Sequence, residues 1–231
     1  MGKRVLEIDF DPRFSLSTSL GYDNTDNEPF TVGDLMDRVI ESKPLPRKEE
    51  YIKHQDGFDI VLSNIILSST EMKLVGIFDR EYIFKTIIDE LKEDYDYILV
   101  DCNPSLGMLV INALAACDTV IIPVDSNVLA SKGLELFLRT IIRIMQRINT
   151  KIKIKGILLT RYNHSTKLSK KILEQIDEAY GSNLNIFTTK IPNSVKVGES
   201  DGKGISVIDF LPENSVSLAY MDFAKEVISN E

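Results

Sequence analysis

The 231-residue sequence contains no Gly-x-x-x-x-Gly-Lys-Ser/Thr stretch. It therefore carries no phosphate loop of the kind that offers backbone N–H groups, a lysine and a metal-binding hydroxyl. The nearest glycine-rich piece, Gly198-Glu-Ser-Asp-Gly-Lys-Gly204, has other spacing and no apolar strand running into it, so it reads as a loop. Apolar runs of about 18 or more residues are missing, and with them any expectation of a membrane-spanning helix. The N-terminal residues show no apolar h-region, so no secretory signal is expected there. Cysteine is scarce: Cys102 and Cys117 make neither a disulfide framework nor a zinc site on their own. A reducing, cytoplasmic home is expected. Positive charge is in the minority, 27 Lys and Arg against 35 Asp and Glu, for a net charge of -8. That balance opposes non-specific DNA binding by the molecule as a whole, so any DNA contact needs a local basic patch. Internal repeats, low-complexity tracts and strong linkers are also lacking.

What is present suits one large α/β domain over 1–231, since 43% apolar and 27% charged residues are ordinary for a globular chain of this length. The organising stretch is Tyr95-Asp-Tyr-Ile-Leu-Val-Asp-Cys-Asn-Pro-Ser105. Ile98, Leu99 and Val100 form a continuous apolar run, the pattern of a strand buried on both faces of a parallel sheet. Asp101 then falls at the strand's C-terminal end, where open α/β sheets place ligands. An acid there suits a magnesium-nucleotide site; the alternative is an Asp that caps the next helix. A second run, Val5-Leu-Glu-Ile-Asp-Phe-Asp-Pro12, also ends in carboxylates before proline, Asp9 and Asp11. Two acidic strand ends favour one shared site.

Other elements follow from periodicity. Residues 4–10, 57–63, 96–101, 119–124, 156–160 and 184–188 read as strands. Thr31 reads as the N-cap of a helix through about Glu41. Asp79 opens a helix through Glu93, and further helices are expected over 106–116, 129–148, 165–180 and 215–228. Gly181 stands where a C-cap glycine belongs. The polar run of Ser15, Ser17, Thr18 and Ser19 could wrap a ligand or cap a short helix. In the 129–148 helix, Arg139, Arg143 and Arg147 recur at i,i+4 steps away from the apolar side. They make either a solvated face with pairs such as Glu135–Arg139 or a row of guanidiniums for phosphates. In the 165–180 helix, Leu168, Ile172, Leu173 and Ile176 should be buried.

Taken in order, Lys3-Arg-Val-Leu-Glu-Ile-Asp-Phe-Asp-Pro12, Asp-Tyr-Ile-Leu-Val-Asp-Cys-Asn-Pro-Ser105, Ile-Asn-Ala-Leu-Ala-Ala-Cys-Asp118, Ile-Ile-Pro-Val124, Gly-Ile-Leu-Leu-Thr-Arg-Tyr-Asn163 and Ile191-Pro-Asn-Ser-Val-Lys196 resemble the ParA/Soj-type partition ATPases. The resemblance runs over nearly the whole chain at family-like spacings. It implies a P-loop NTPase-like fold of ParA/MinD type, a mainly parallel sheet flanked by helices. The family opens with a strand, a phosphate loop and a helix, whereas this chain begins at what resembles the second strand. The expectation is a start lying upstream, or else a rewired relative, and a sheet left with unpaired strand edges.

For the intact family the resemblance implies an ATP- and Mg-dependent, DNA-binding dimer that works with a ParB-like partner in plasmid or chromosome segregation at the nucleoid. By that likeness Asp11 positions the attacking water, Asp101 holds Mg through water and Asp9 supports them. Asn163, Pro192 and Asn193 lie on the nucleotide's base side, although Asn193 stands where the family usually has Arg. Lys196 is the DNA contact, with Arg139, Arg143 and Arg147 as further candidates. Two rivals stay open. One is a non-hydrolysing ParA-like protein that pairs with a full-length relative or with DNA. The other is a cluster-binding reductase relative, in which Cys102 and Cys117 would be ligands rather than buried thiols. The closing helix ends acidic, unlike a membrane-targeting helix of MinD type, so no membrane partner is expected.

Overall fold

A computed structural model describes residues 2–126 and 130–229. These fall into two compact units, one formed by the chain up to Cys117 with Arg147–Asn149, the other by Asp118–Gln146 and the chain from Thr150.

The first unit is built on a four-stranded sheet. Its elements are β1 (Val5–Phe10), α1 (Ser15–Ser19), α2 (Val32–Ile40), β2 (Ile52–Gln55), β3 (Phe58–Val61), α3 (Ile66–Leu74), α4 (Ile83–Leu91), β4 (Tyr97–Cys102) and α5 (Met108–Ala116). The strand order is β2-β3-β1-β4. β1 runs parallel to both β3 and β4, and β2 is antiparallel to β3. The apolar runs thus become strands in a mainly parallel sheet, as expected. Leu6, Ile8 and Phe10 of β1 are fully buried with Val32, Leu35 and Met36 of α2 and Phe84, Ile87 and Leu91 of α4. The Phe10 and Phe84 rings stack at 4.2 Å. Full burial of side chains this size contributes about 1.5–3 kcal/mol each, which makes this face the unit's main stabiliser. Among the described residues β4 has β1 as its one strand neighbour, and Leu99 is 51% exposed. The composition of β4 is that of an interior strand, yet one of its edges carries no strand.

Thr31 does cap α2. Its N–H and hydroxyl donate to Asp34 Oδ2 at 2.8 and 2.7 Å, closing a capping box. Gly33 allows α2 to approach the start of α3, because a Cβ there would lie 2.9 Å from the Leu67 backbone nitrogen. The expected helix over 79–93 is shorter: Arg80–Tyr82 is a 3-10 turn before α4. Asp79 adopts φ 53 and makes no side-chain cap, so it turns the chain instead of capping it.

The second unit contains β5 (Thr119–Asp125), α6 (Ala130–Arg147), β6 (Lys153–Thr160), α7 (Lys167–Tyr180), α8 (Val195–Asp201), α9 (Val207–Phe210) and α10 (Ser215–Ser229). β5 and β6 are parallel, with an irregularity at Val120/Ile121. The expected helix start at Leu129 lies outside the described residues. Leu158, Phe187, Ile191, Val207 and Val216 form the core beneath β6, α9 and α10.

Three expectations are corrected in this unit. Residues 184–188 form no strand; a single bridge joins Ile186 to Ile157. Asn185 and Thr188 face solvent, so this segment has no second buried face to hold it in a ladder. The glycine-containing stretch at 198 is not all loop, because Ser194 caps α8, which runs to Asp201. Leu168 is 52% exposed while Ser169 is fully buried, since Ser169 is held by Thr166 and Ser126. Gly181 is the C-cap of α7, as expected, with its N–H on the Asp177 carbonyl and a right-handed φ of -59. Its lack of a Cβ matters: that atom would lie 2.4 Å from Asp177 Oδ1.

Candidate functional site

The acidic strand ends meet. Asp9 and Asp101 are register partners on β1 and β4, at the C-terminal ends of both strands. Two strands that end side by side deliver their carboxylates to one place, which is the geometry the sequence suggested.

Asp9 is fully buried. Its Oδ2 accepts from the Ser17 N–H and the Ser17 hydroxyl, both at 2.8 Å, and its Oδ1 accepts from the Asp11 N–H at 3.2 Å. Burial pushes the Asp9 carboxyl up, and those hydrogen bonds partly offset it. Ser17 in turn accepts from the Ser63 N–H at 3.1 Å, and the Ser63 hydroxyl donates to the Asp11 carbonyl at 2.9 Å. Of the polar run at 15–19, Ser17 therefore faces inward and ties α1 to β1. Desolvation at the strand end, then the charges of Asp9 and Asp11, push Asp101 up. Glu7 is raised for related reasons, burial first and Asp101 second.

Asp11 behaves differently. Asp11-Pro12-Arg13-Phe14 is a turn closed by the Phe14 N–H donating to the Asp11 carbonyl at 2.8 Å. Phe14 has φ 45, a left-handed conformation uncommon for a bulky side chain. The turn folds Arg13 back on Asp11. Arg13 Nη2 and Nε donate to Asp11 Oδ2 at 2.7 and 3.1 Å, and the Arg13 N–H donates to Oδ1 at 2.9 Å. Burial alone would raise the Asp11 carboxyl; the Arg13 hydrogen bonds and charge outweigh it and hold it below the ordinary range. A carboxylate this well satisfied is a poor proton acceptor. Arg13 and Ser63 carry no sequence reading as working residues, and Ser17 stood only within the polar run at 15–19. The Asp-Pro-Arg spacing after a strand was the available signal for Arg13, because an arginine two residues beyond an Asp in a turn can reach back to it.

Cys102 follows Asp101 and is pushed up to about 12 by burial and then by the Asp101 charge. Its thiolate is disfavoured, which suits a packed thiol.

In the second unit, segments 161–163 and 191–193 are zipped together. The Tyr162 N–H donates to the Ile191 carbonyl at 2.9 Å and the Asn193 N–H to the Tyr162 carbonyl at 3.1 Å. Asn163, Pro192 and Asn193 are therefore neighbours at the end of β6. Arg161 opens this turn at φ 50. Glu226 of α10 accepts from the Thr188 and Thr189 N–H groups at 2.7 and 2.9 Å and anchors the chain just before Ile191. Lys196 lies on α8 and pairs with Glu199 at 2.7 Å. Arg139 and Arg143 are exposed on α6, as is Arg147 at its end, and Arg139 pairs with Glu135 at 2.7 Å. Among the described residues no cluster of three or more His, Cys, Asp or Glu side chains could hold a metal directly. No described helix is long and apolar enough to cross a membrane.

Comparison with known proteins gives these features a family. An AAA domain family model matches residues 1–154. The sporulation initiation inhibitor protein Soj of Bacillus subtilis is 34% identical, over 100% of this chain and 88% of Soj. The chromosome partitioning protein ParA of Caulobacter vibrioides is 31% identical, over 100% of this chain and 84% of ParA. This chain belongs to the ParA/Soj-type ATPase family. Among solved structures, cobyrinic acid a,c-diamide synthase from Mycobacterium smegmatis with bound ATP analog and magnesium is 31% identical. It superposes at a TM-score of 0.80, over 97% of this chain and 81% of the synthase. The cell division ATPase MinD of Pyrococcus furiosus, 17% identical at a TM-score of 0.71, shares the fold.

A magnesium nucleotide can be weighed against the ParA-like residues themselves. Asp101 offers an exposed carboxylate, suited to a magnesium ion held through its water shell rather than directly. Arg13 brings a guanidinium to the same strand ends. The backbone cradle is not encoded within these 231 residues.

Proposed function

We propose that this chain is a plasmid or chromosome partitioning protein of ParA type, which binds ATP with magnesium and non-specific DNA as a dimer. The observation that carries the reading is similarity along the whole chain to proteins named for chromosome partitioning. Bound magnesium would supply charge neutralisation at the phosphates. Asp101 would hold its water shell, Asp9 would fix the strand-end backbone, and Asp11 would orient a water. Asn163, Pro192 and Asn193 would contact the base side. Lys196, Arg139, Arg143 and Arg147 would meet DNA phosphates, which is how an acidic protein binds DNA through a local patch. The partner would be ParB-like, and the home the cytoplasm at the nucleoid.

One observation favours a second reading. The water-orienting candidate Asp11 is held by Arg13. That suits a ParA-like protein that binds a full-length relative or DNA without hydrolysing ATP. Titration with a non-hydrolysable ATP analogue and magnesium tests both readings. Micromolar binding lost in Asp101→Ala supports the nucleotide site, and no binding at millimolar ligand refutes it. DNA affinity that keeps its salt slope in Lys196→Ala with Arg143→Ala refutes the DNA assignment.

A further inference from the structure

The ion pair at the strand ends is lopsided. Asp11 is fixed: Ser63 holds its carbonyl, Asp9 holds its N–H, and the residue is 6% exposed. Arg13 is not: its side chain is 67% exposed, and its guanidinium is held through Asp11. The guanidinium can be solvated when it leaves, and Asp11 keeps the Arg13 backbone N–H on Oδ1 at 2.9 Å, so the exchange costs less than breaking a fully buried pair. Beside it stand Asp9 and Asp101, with Glu7 next to Asp101, all anionic when ionised. An approaching phosphate meets repulsion from every one of these groups and attraction from Arg13. A guanidinium fork matches phosphate oxygens as well as it matches a carboxylate.

We propose that Arg13 is an exchange arm for a phosphate-terminated ligand: the phosphate draws the guanidinium from Asp11, and Asp11 is then free to accept a hydrogen bond from water. This deepens, and rests on, the nucleotide site proposed above. Arg13 is thereby a ligand-contacting residue, and Asp11 stays latched until a phosphate arrives. The left-handed Phe14 closes the turn that brings Arg13 back to Asp11.

Calorimetric titration of the full chain tests this with inorganic tripolyphosphate, with a non-hydrolysable ATP analogue plus magnesium, and with adenosine. Arg13→Gln should weaken tripolyphosphate and the analogue about tenfold and leave adenosine unchanged, and Arg13→Lys should recover part of the loss. Asp11→Asn removes a negative charge and so helps any anion. The exchange adds more: a gain of about fivefold with Arg13 present and under about twofold in the Arg13→Gln background. Equal gains in both backgrounds overturn the proposal, as does unchanged tripolyphosphate binding in Arg13→Gln. If the analogue binds the parent chain and Arg13→Gln alike, the nucleotide site stands and the exchange arm falls. If neither the analogue nor adenosine binds at millimolar concentration, both fall. Should Arg13→Gln fail to fold, Arg13→Lys and Asp11→Asn decide the matter.

Discussion

Asp9→Ala should be one of the more damaging single substitutions in the first unit. The wild-type carboxylate accepts from two backbone N–H groups, Ser17 and Asp11, and from the Ser17 hydroxyl. The hydroxyl can rotate, and it keeps its bond from the Ser63 N–H. The two N–H groups cannot rotate, and each buried donor left unpaired costs about 1–3 kcal/mol. Against that, alanine removes a charge whose burial is unfavourable, as its raised carboxyl shows. The net expectation is a loss of about 2–4 kcal/mol. Asp9→Asn keeps an acceptor oxygen in nearly the same shape and should lose less. Urea unfolding measures both, followed by far-UV circular dichroism and tyrosine emission, since the chain has 8 tyrosines and no tryptophan. The midpoint should fall with the slope unchanged. A loss under about 0.5 kcal/mol for Asp9→Ala, or a larger loss for Asp9→Asn, would refute the account of Asp9 as the anchor of the β1–α1 turn. pH gives a second check. The folded carboxyl lies above its ordinary value of 3.8, so the folded state holds this proton more tightly than the unfolded chain. The burial penalty is present above the folded value and fades as pH falls through it. The penalty of Asp9→Ala should therefore grow as pH falls from neutral toward 4.

The remaining predictions rest on other contacts. Gly33→Ala should destabilise by about 1–3 kcal/mol in the same urea assay, because the new Cβ meets the Leu67 backbone and backbone cannot rotate away. Gly156→Ala should do likewise in the second unit, where the Cβ would lie 2.8 Å from both the Asn185 amide and the Phe187 ring. Glu226→Ala leaves the Thr188 and Thr189 N–H groups without their acceptor. Faster amide exchange at those two residues is expected, while the α7 amides hold their protection. Asp11 contributes stability above 3.8 that is lost as pH falls through its lower folded value. Thermal melts of Arg13→Gln across that range should show a shallower loss in acid than the parent chain.

How much of this could be read in advance varied with the signal. β1, β4, β5 and β6 announced themselves, since continuous apolar runs leave few other placements. Thr31 marked the start of α2 as its N-cap, and the structure adds Asp34 as its partner. β2 did not stand out, being four residues with Lys53 and His54 in the middle. Its cue was the turn: Asp56-Gly57 separates β2 from β3 by two residues, with Gly57 at φ 91. An Asp-Gly pair between two short strands is a strong hairpin signal, and here it outranks strand composition. α3 was hidden for another reason. It buries Thr70 beside Leu67 and Leu74 and leaves Met72 77% exposed, so its apolar period is blurred. Thr70 is buried because its hydroxyl donates to Asp37 Oδ1 at 2.9 Å, a partner that periodicity cannot see.

The site shows the same limit more sharply. Sequence pattern placed Asp9, Asp11 and Asp101 together, because strand ends in a parallel sheet share an edge. It could not rank them, because rank depends on partners supplied by a turn. Three acids of one residue type end in three environments. Asp9 is buried on backbone donors, Asp101 is raised by desolvation at the strand end and then by its acidic neighbours, and Asp11 is depressed by a guanidinium. The acid best placed by resemblance to orient a water is thus the least able to take a proton while Arg13 holds it. A water-orienting role for Asp11 therefore requires Arg13 to move, and phosphate is the one group in the proposed chemistry with both the charge and the shape to move it.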